Sequence, residues 1–290
     1  MKKEQSYLVE APNTLLAFML QTIKGQSRNT IKHLLSRGQV LIDGTVQRQF
    51  DLPLQPGQTV TVLNQAKGAA LPFPILYEDE RLIAVDKPAG LLSVGTERER
   101  NRTAYRMVAD YLRARDGLPR IFILHRLDRD TSGVLVFAKE EAFRDFLQEN
   151  WSTIATIREY YAVVEGTDIP QSGVCCSMLQ ENKGHKVYSV QSRDGKEAIS
   201  RYQVLDRQKG YSLLSLQIET GRKNQIRVHL SELGHPVAGD RKYGATSDPM
   251  RRLALHANRL VFSGLHTGKE LSFIAAAPKE FSRMFPRFSF

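Results

Sequence analysis

Residues 123–139, "ILHRLDRDTSGVLVFAK", set a short ionic, turn-forming run between two apolar stretches. Ile123–Leu124 and Val134–Ala138 read as strands, and Asp130, Thr131, Ser132 and Gly133 can make the connecting turn unaided. Asp128 is left over. Such a carboxylate is often no more than a turn or cap residue, but one lodged beside a strand end needs a cation to remain charged out of water. The best cation distant in sequence is Arg222. It follows a glycine at a turn between an apolar strand and a helix, where a guanidinium can grip a carboxylate through two N–H groups.

Working outward, "ILYEDERLIAVDKPAGLLSV" (75–94) reads as two strands, with Lys87, Pro88 and Gly90 at a bend, and "TAYRMVADYLRAR" (103–115) as an amphipathic helix. A helix over about 140–157 follows, then strands at 160–164, 187–190, 199–205, 212–219 and 271–274. The helix "KNQIRVHLSELG" (223–234) stops at Gly234. Few strands alternate regularly with helices, so the expected class is α+β with a mainly antiparallel sheet, not a doubly wound one. Cys175 and Cys176 are adjacent, too close in sequence to bridge each other and only half of a structural zinc set, and they read as buried strand residues.

Apolar residues make up 41% of the 290 and charged residues 25%, values that suit a folded globular protein and argue against extended disorder. No apolar run approaches the roughly 20 residues of a membrane helix. "MKKEQSYLVE" has no apolar stretch behind its lysines, so the expectation is a cytoplasmic protein without membrane association. Net charge is +10, and both ends are basic: residues 1–66 carry 7 cations against 4 carboxylates, and 201–290 carry 15 against 7. A polyanionic partner fits this balance. There is no P-loop, dinucleotide fingerprint or "GxSxG" elbow, and His125, His229, His235 and His256 lack metal-ligand spacing. Any chemistry is expected to run without metal or organic cofactor.

Near the N-terminus, "GQSRNTIKHLLSRGQVLIDGTVQ" (25–47) places Ser27 as an N-cap, Ile31, Leu34 and Leu35 as a helical apolar stripe, and Gly38 as the terminator. Asp43-Gly44 is a hairpin turn pair. Arg28 and Lys32 share a helix face, with Arg37 near the helix end. Together with "PLQPGQTVTV" (53–62), the pattern resembles the small RNA-binding module first known from a small-subunit ribosomal protein, the S-four type. "NQAKGAALPFP" (64–74) reads as a linker. The expected division is a module over 1–66, a linker over 67–76 and a second domain over 77–290.

"HRLDRDTSG" resembles the signature "HRLDxxTSG" of the RluA-type pseudouridine synthases. Three further blocks are similar to that family in the same order: 77–94, "REYYAVVEG" (158–166), and "TGRKNQIRVHLSELGHPVAGDRKYG" (220–244) with "LALHANRLVF" (253–262). The resemblance spans residues 73 to about 275, and an S-four-type module is a frequent attachment in that family. It implies the pseudouridine synthase fold and an isomerase that converts uridine to pseudouridine in structured RNA without a cofactor. It implies Asp128 as catalytic aspartate, Tyr160 as the ring that packs on the target base, Arg222 as the cation paired with Asp128, and Arg126 as a residue that opens the RNA. Lys223 and Asn224 stand where threonine and histidine are commoner. Arg28, Lys32, Arg37, Lys223 and Arg227 are expected to contact RNA. Large-subunit ribosomal RNA is favoured over transfer RNA, and a monomer suffices. Two other classes remain: a non-catalytic RNA-binding or ribosome-assembly protein using the same surfaces, and a nucleoside or glycoside hydrolase using Asp128, which would release free base.

Overall fold

A computed structural model of the chain describes residues 4–23, 25–36, 38–63, 71–97, 99–116, 118, 120–191, 194–265 and 270–290. Two compact units emerge, residues 1–71 with 107–120, and residues 72–106 with 121–290. Among the described residues no helix is long and apolar enough to cross a membrane.

In the first unit, Gln5–Leu8, Thr59–Val62, Val40–Ile42 and Thr45–Gln47 form an antiparallel sheet in that order. Helices Leu15–Thr22 and Arg28–Ser36 precede the Val40 hairpin in sequence. The local signals act as expected. Ser27 Oγ accepts the Thr30 N–H at 3.2 Å and caps the second helix, and Asp43 and Gly44 both adopt positive φ, as a two-residue hairpin turn with the right twist requires. Leu15, Met19, Ile31, Leu35, Val40 and Val60 meet in the core. Each fully buried aliphatic side chain contributes roughly 1.5–3 kcal/mol. Arg37 lies outside the described residues.

The second unit is built on an 11-stranded sheet. From one edge the order is Val187–Val190, Ser172–Glu181, Lys196–Gln208, Tyr211–Ile218, Ala155–Glu165, Leu255–Phe262, Ser132–Ala138, Leu82–Lys87 and Ile75–Glu78. Leu271–Ile274 pairs with Leu255–Phe262, and Phe122–Ile123 with Ser132–Ala138. Adjacent strands are antiparallel throughout except where Ser132–Ala138 meets Leu255–Phe262. This is the α+β architecture that the sequence predicts. One core gathers Val163, Leu214, Leu216, Leu230, Phe281 and Phe285, the other Val134, Val136, Phe143, Leu147, Phe262 and Phe273.

Two local expectations need correction. The helix expected over 140–157 is Glu141–Glu149 followed by the single turn Trp151–Ile154, and strand begins at Ala155. Asn150, whose backbone N–H and side-chain amide both bond the Phe146 carbonyl, ends the helix. Ile157 then pairs with Val261 in the sheet. Cys175 is only partly buried, and Cys176, which alternation turns to the opposite face of the strand, is exposed; both are free thiols.

The parallel contact sits beside the opening motif. Gly133 pairs with Ala257 at φ +113°, and a Cβ there would lie 2.0 Å from the Ala257 carbonyl oxygen. Only glycine fits. Gly133→Ala should therefore destabilise the second unit by about 3 kcal/mol or more, whereas Gly210→Ala, which has positive φ but open space around it, should cost only about 1 kcal/mol. Denaturant unfolding measures both; equal losses would contradict the packing argument.

Candidate active site

The loop His125–Thr131 leaves the strand Phe122–Ile123 and enters Ser132–Ala138, crossing a wall of a cavity of about 1320 Å3. Its backbone lacks regular partners and is held by side chains from elsewhere in the unit. Ser93 Oγ accepts the Leu127 N–H at 3.0 Å and donates to the Leu127 carbonyl at 2.8 Å. Lys87, fully buried, donates Nζ to the carbonyls of Pro88 (3.0 Å), Leu91 (2.7 Å) and Arg129 (3.0 Å). Burial pulls its pKa down to about 7 against the charges of Asp130 and Asp128. The three acceptors match the three donors of an ammonium group and favour the charged form.

At the loop's end, Arg252 donates Nη2 to Ser132 Oγ at 2.6 Å, and Ser132 Oγ lies 2.8 Å from His256 Nδ1. A guanidinium can only donate, so the serine proton points to Nδ1, and Nε2–H of His256 donates to the Ala275 carbonyl at 3.2 Å. Burial pushes His256 down to about 4, in keeping with that neutral tautomer. His125 accepts the Val136 N–H on Nε2 at 3.1 Å. Burial, with the charge of Arg158 behind it, likewise brings it to about 4.

Asp128 thus projects from an anchored loop, and its partner is Arg227. Nη1 of Arg227 lies 3.3 Å from Asp128 Oδ2, while its Nε and Nη2 bind both oxygens of Asp240 at 2.6 and 2.8 Å. Asn224 Oδ1 accepts from Nη1 at 3.2 Å, and the Tyr243 ring centroid lies 4.9 Å from the guanidinium carbon. Tyr243 OH accepts from Asn224 Nδ2 at 2.9 Å, fixing that residue at its left-handed φ of 54°, immediately before the helix Gln225–Glu232. Burial works against the charge on Arg227, but the hydrogen bonds and charge of Asp240, with Asp128 added, raise its pKa overall.

The expected pairing of Arg222 with Asp128 is corrected. Arg222 lines the cavity, but its Nε donates to the Glu197 carbonyl at 2.8 Å and its backbone N–H to Gln225. Arg222 belongs to the turn before the helix; Arg227 lies inside the helix, where the fold aims it at both carboxylates. Arg227, expected as an RNA contact, makes four hydrogen bonds within the protein, to Asp240, Asp128 and Asn224. Lys223 is ion-paired with Glu181 at the cavity rim. Arg126 is exposed on the cavity wall. In the first unit Arg28 and Lys32 are exposed on their helix, with Lys32 Nζ 4.5 Å from the Phe50 ring centroid.

Tyr160 lines the cavity, while its neighbour Tyr161 packs edge-on against Phe290 with centroids 5.4 Å apart, so the strand's alternation sends one ring into the site and one away. Desolvation, opposed by Arg158 and reinforced by Asp128, raises the Tyr160 phenol to about 12. Composition and spacing gave no sign that Lys87, Arg158, Asp240 or Tyr243 would serve the site. Arg158 lines the cavity, donates to the Glu219 carbonyl and keeps a buried Nε without a partner among the described residues.

This geometry coincides with a family. Residues 81–232 match the model of RNA pseudouridylate synthases. A relative in Bacillus subtilis called uncharacterized RNA pseudouridine synthase YlyB is 31% identical, the match covering 92% of this chain and 91% of the relative. The chain belongs to the RNA pseudouridylate synthase family. Ribosomal large subunit pseudouridine synthase D of Xylella fastidiosa is also 31% identical, over 87% of this chain and 81% of that protein. The solved structure of human RNA pseudouridylate synthase domain containing 4 matches with a TM-score of 0.60 and 27% identity, covering 73% of this chain and 92% of that one. The protein is accordingly an isomerase acting on RNA, as the sequence motifs imply.

Removing Arg227 strands two carboxylates, of which Asp240 is 2% exposed. Arg227→Gln should cost about 3 kcal/mol of stability and most of the activity, while Arg222→Ala should leave the unfolding midpoint nearly unchanged. Chemical denaturation of both variants distinguishes them; a larger loss for Arg222→Ala would contradict the assignment.

Proposed function

We propose that this synthase converts uridine to pseudouridine in large-subunit ribosomal RNA and that Asp128 is its reacting carboxylate. The observation that carries the reading is the position of Asp128: partly exposed on the wall of a cavity large enough for a nucleotide and its neighbours, with a rigid guanidinium behind it. Pseudouridine formation breaks the bond between the sugar carbon and the ring nitrogen, then joins the same carbon to a ring carbon, with no net oxidation. Detaching the base leaves the sugar carbon short of electrons. A carboxylate at that point can act as nucleophile toward sugar or ring, or as a base on the sugar.

Arg227 orients Asp128 and opposes its charge, and Asp240 keeps Arg227 from closing on Asp128 as a full two-point pair. One carboxylate oxygen is left for the substrate. Tyr160 offers a flat ring for the extruded uracil, a contact worth about 1–3 kcal/mol that offsets part of the few kcal/mol needed to unstack the base. Its raised pKa keeps the hydroxyl protonated near neutral pH, so it acts as a hydrogen-bond donor or acceptor there and not as a phenolate base. Arg126, exposed beside Asp128, is suited to fill the space a flipped base vacates.

The first unit acts as an S-four-type module, its exposed Arg28 and Lys32 meeting RNA phosphates. The ribosomal reading rests on the curated relatives named large-subunit pseudouridine synthase D. On this reading the enzyme works in the cytoplasm, and one chain supplies every residue of the site. Pseudouridine maps of ribosomal and transfer RNA from cells with and without the protein test it. Sites lost from large-subunit ribosomal RNA are expected; losses confined to transfer RNA would overturn the substrate assignment.

A further inference from the structure

We propose that a second cavity of about 500 Å3, adjoining the first, is a subsite for a phosphodiester next to the target nucleotide. This rests on the reading of the first cavity as the seat of that nucleotide. The two cavities share Asp130, Arg227 and Lys242. A strand that delivers its base to one must carry its backbone past the other.

The two linings differ in chemistry. The first cavity offers the rings of Tyr160 and Trp151, whereas no aromatic side chain lines the second, where Ala89 and Leu253 supply the apolar part. Nothing there favours stacking of a base. Its charges favour an anion: Arg227 and Asp240 satisfy each other in their two-point pair, leaving Arg241, Lys242, Arg251 and Arg252 against Asp130 and Asp248. Guanidinium groups match phosphate oxygens in geometry as well as charge.

Three of these cations keep donors for an anion. Arg241 and Arg251 are exposed, and neither makes a side-chain hydrogen bond or ion pair among the described residues. Arg252 is half-buried and donates only to neutral oxygens, at Ser132 (2.6 Å), Leu253 (3.0 Å) and Leu255 (3.2 Å). Burial lowers its pKa, as expected of a cation withdrawn from water without a contacting carboxylate. The backbone holds this set in place. A Cβ on Gly239 would lie 2.3 Å from the Arg252 carbonyl oxygen, and Arg251 sits at φ 54°, a conformation that a non-glycine residue adopts at a cost.

The test uses a stem-loop RNA spanning the uridine that the wild-type enzyme converts, made with a single uncharged methylphosphonate linkage either 5′ or 3′ of that uridine. It is compared on wild type and on the double variant Arg241→Ala with Arg251→Asn, asparagine being tolerant of the left-handed backbone. One of the two linkages should weaken wild-type binding about tenfold, while the double variant binds unmodified RNA about tenfold more weakly and is indifferent to that linkage. The slope of log Kd against log salt should fall by about one to two in the variant, with kcat largely kept. If wild type converts the uridine yet ignores both linkages, or if the variant stays as sensitive as wild type, the subsite is wrong and the proposed function stands. If no uridine in the RNA is converted, the proposed function falls and the subsite with it.

Discussion

Everything in the second unit converges on one guanidinium shared by two carboxylates. Arg227 is held by both oxygens of Asp240, by Asn224 and by the face of Tyr243, and reaches Asp128 through Nη1. The asymmetry matters. A symmetric pair would bury Asp128 in its own salt bridge, whereas a guanidinium already committed to Asp240 can orient Asp128 and leave it partly open to a ligand. Burying this many charges is tolerable only because each finds a partner, and the loss of one strands the others.

The second requirement is a loop that stays put without regular backbone pairing. Lys87, Ser93 and the Arg252–Ser132–His256 chain supply bonds that a strand or helix would otherwise provide, and they come from segments distant in sequence. Only the folded sheet brings them together. Groups fixed in this way need little reorganisation when charge develops on a substrate, which is the main physical route by which such sites lower barriers. The parallel contact at Gly133 and Ala257 fixes the distance between the loop and the strand bearing His256.

Much of this was legible in the sequence where the signal is local. The Ser27 cap, the Asp43-Gly44 turn and the strand character of 134–138 depend on neighbours in the chain, and the α+β class follows from counting such segments. The family was readable from ordered motifs. What escaped was the partner of Asp128. Arg222 and Arg227 lie five residues apart in one block, and the polar Gln225 and His229 are buried along with Ile226, Val228 and Leu230, so polarity alone does not say where Arg227 points. The left-handed turn at Asn224, itself fixed by Tyr243, sets that direction. Lys87 escaped for a related reason: a lysine beside Pro88 and Gly90 reads as an exposed bend residue, yet the sheet encloses it completely.

On the proposed function, the chemistry belongs to the Asp128 carboxylate and not to the surface around it. Single-turnover conversion with enzyme in excess, on ribosomal RNA from cells lacking the protein, tests this directly when wild type is set beside Asp128→Asn. The amide keeps the shape and removes the charge. No pseudouridine at any time point, with the RNA still bound to the variant, is the expected result; formation at the wild-type rate would contradict the account.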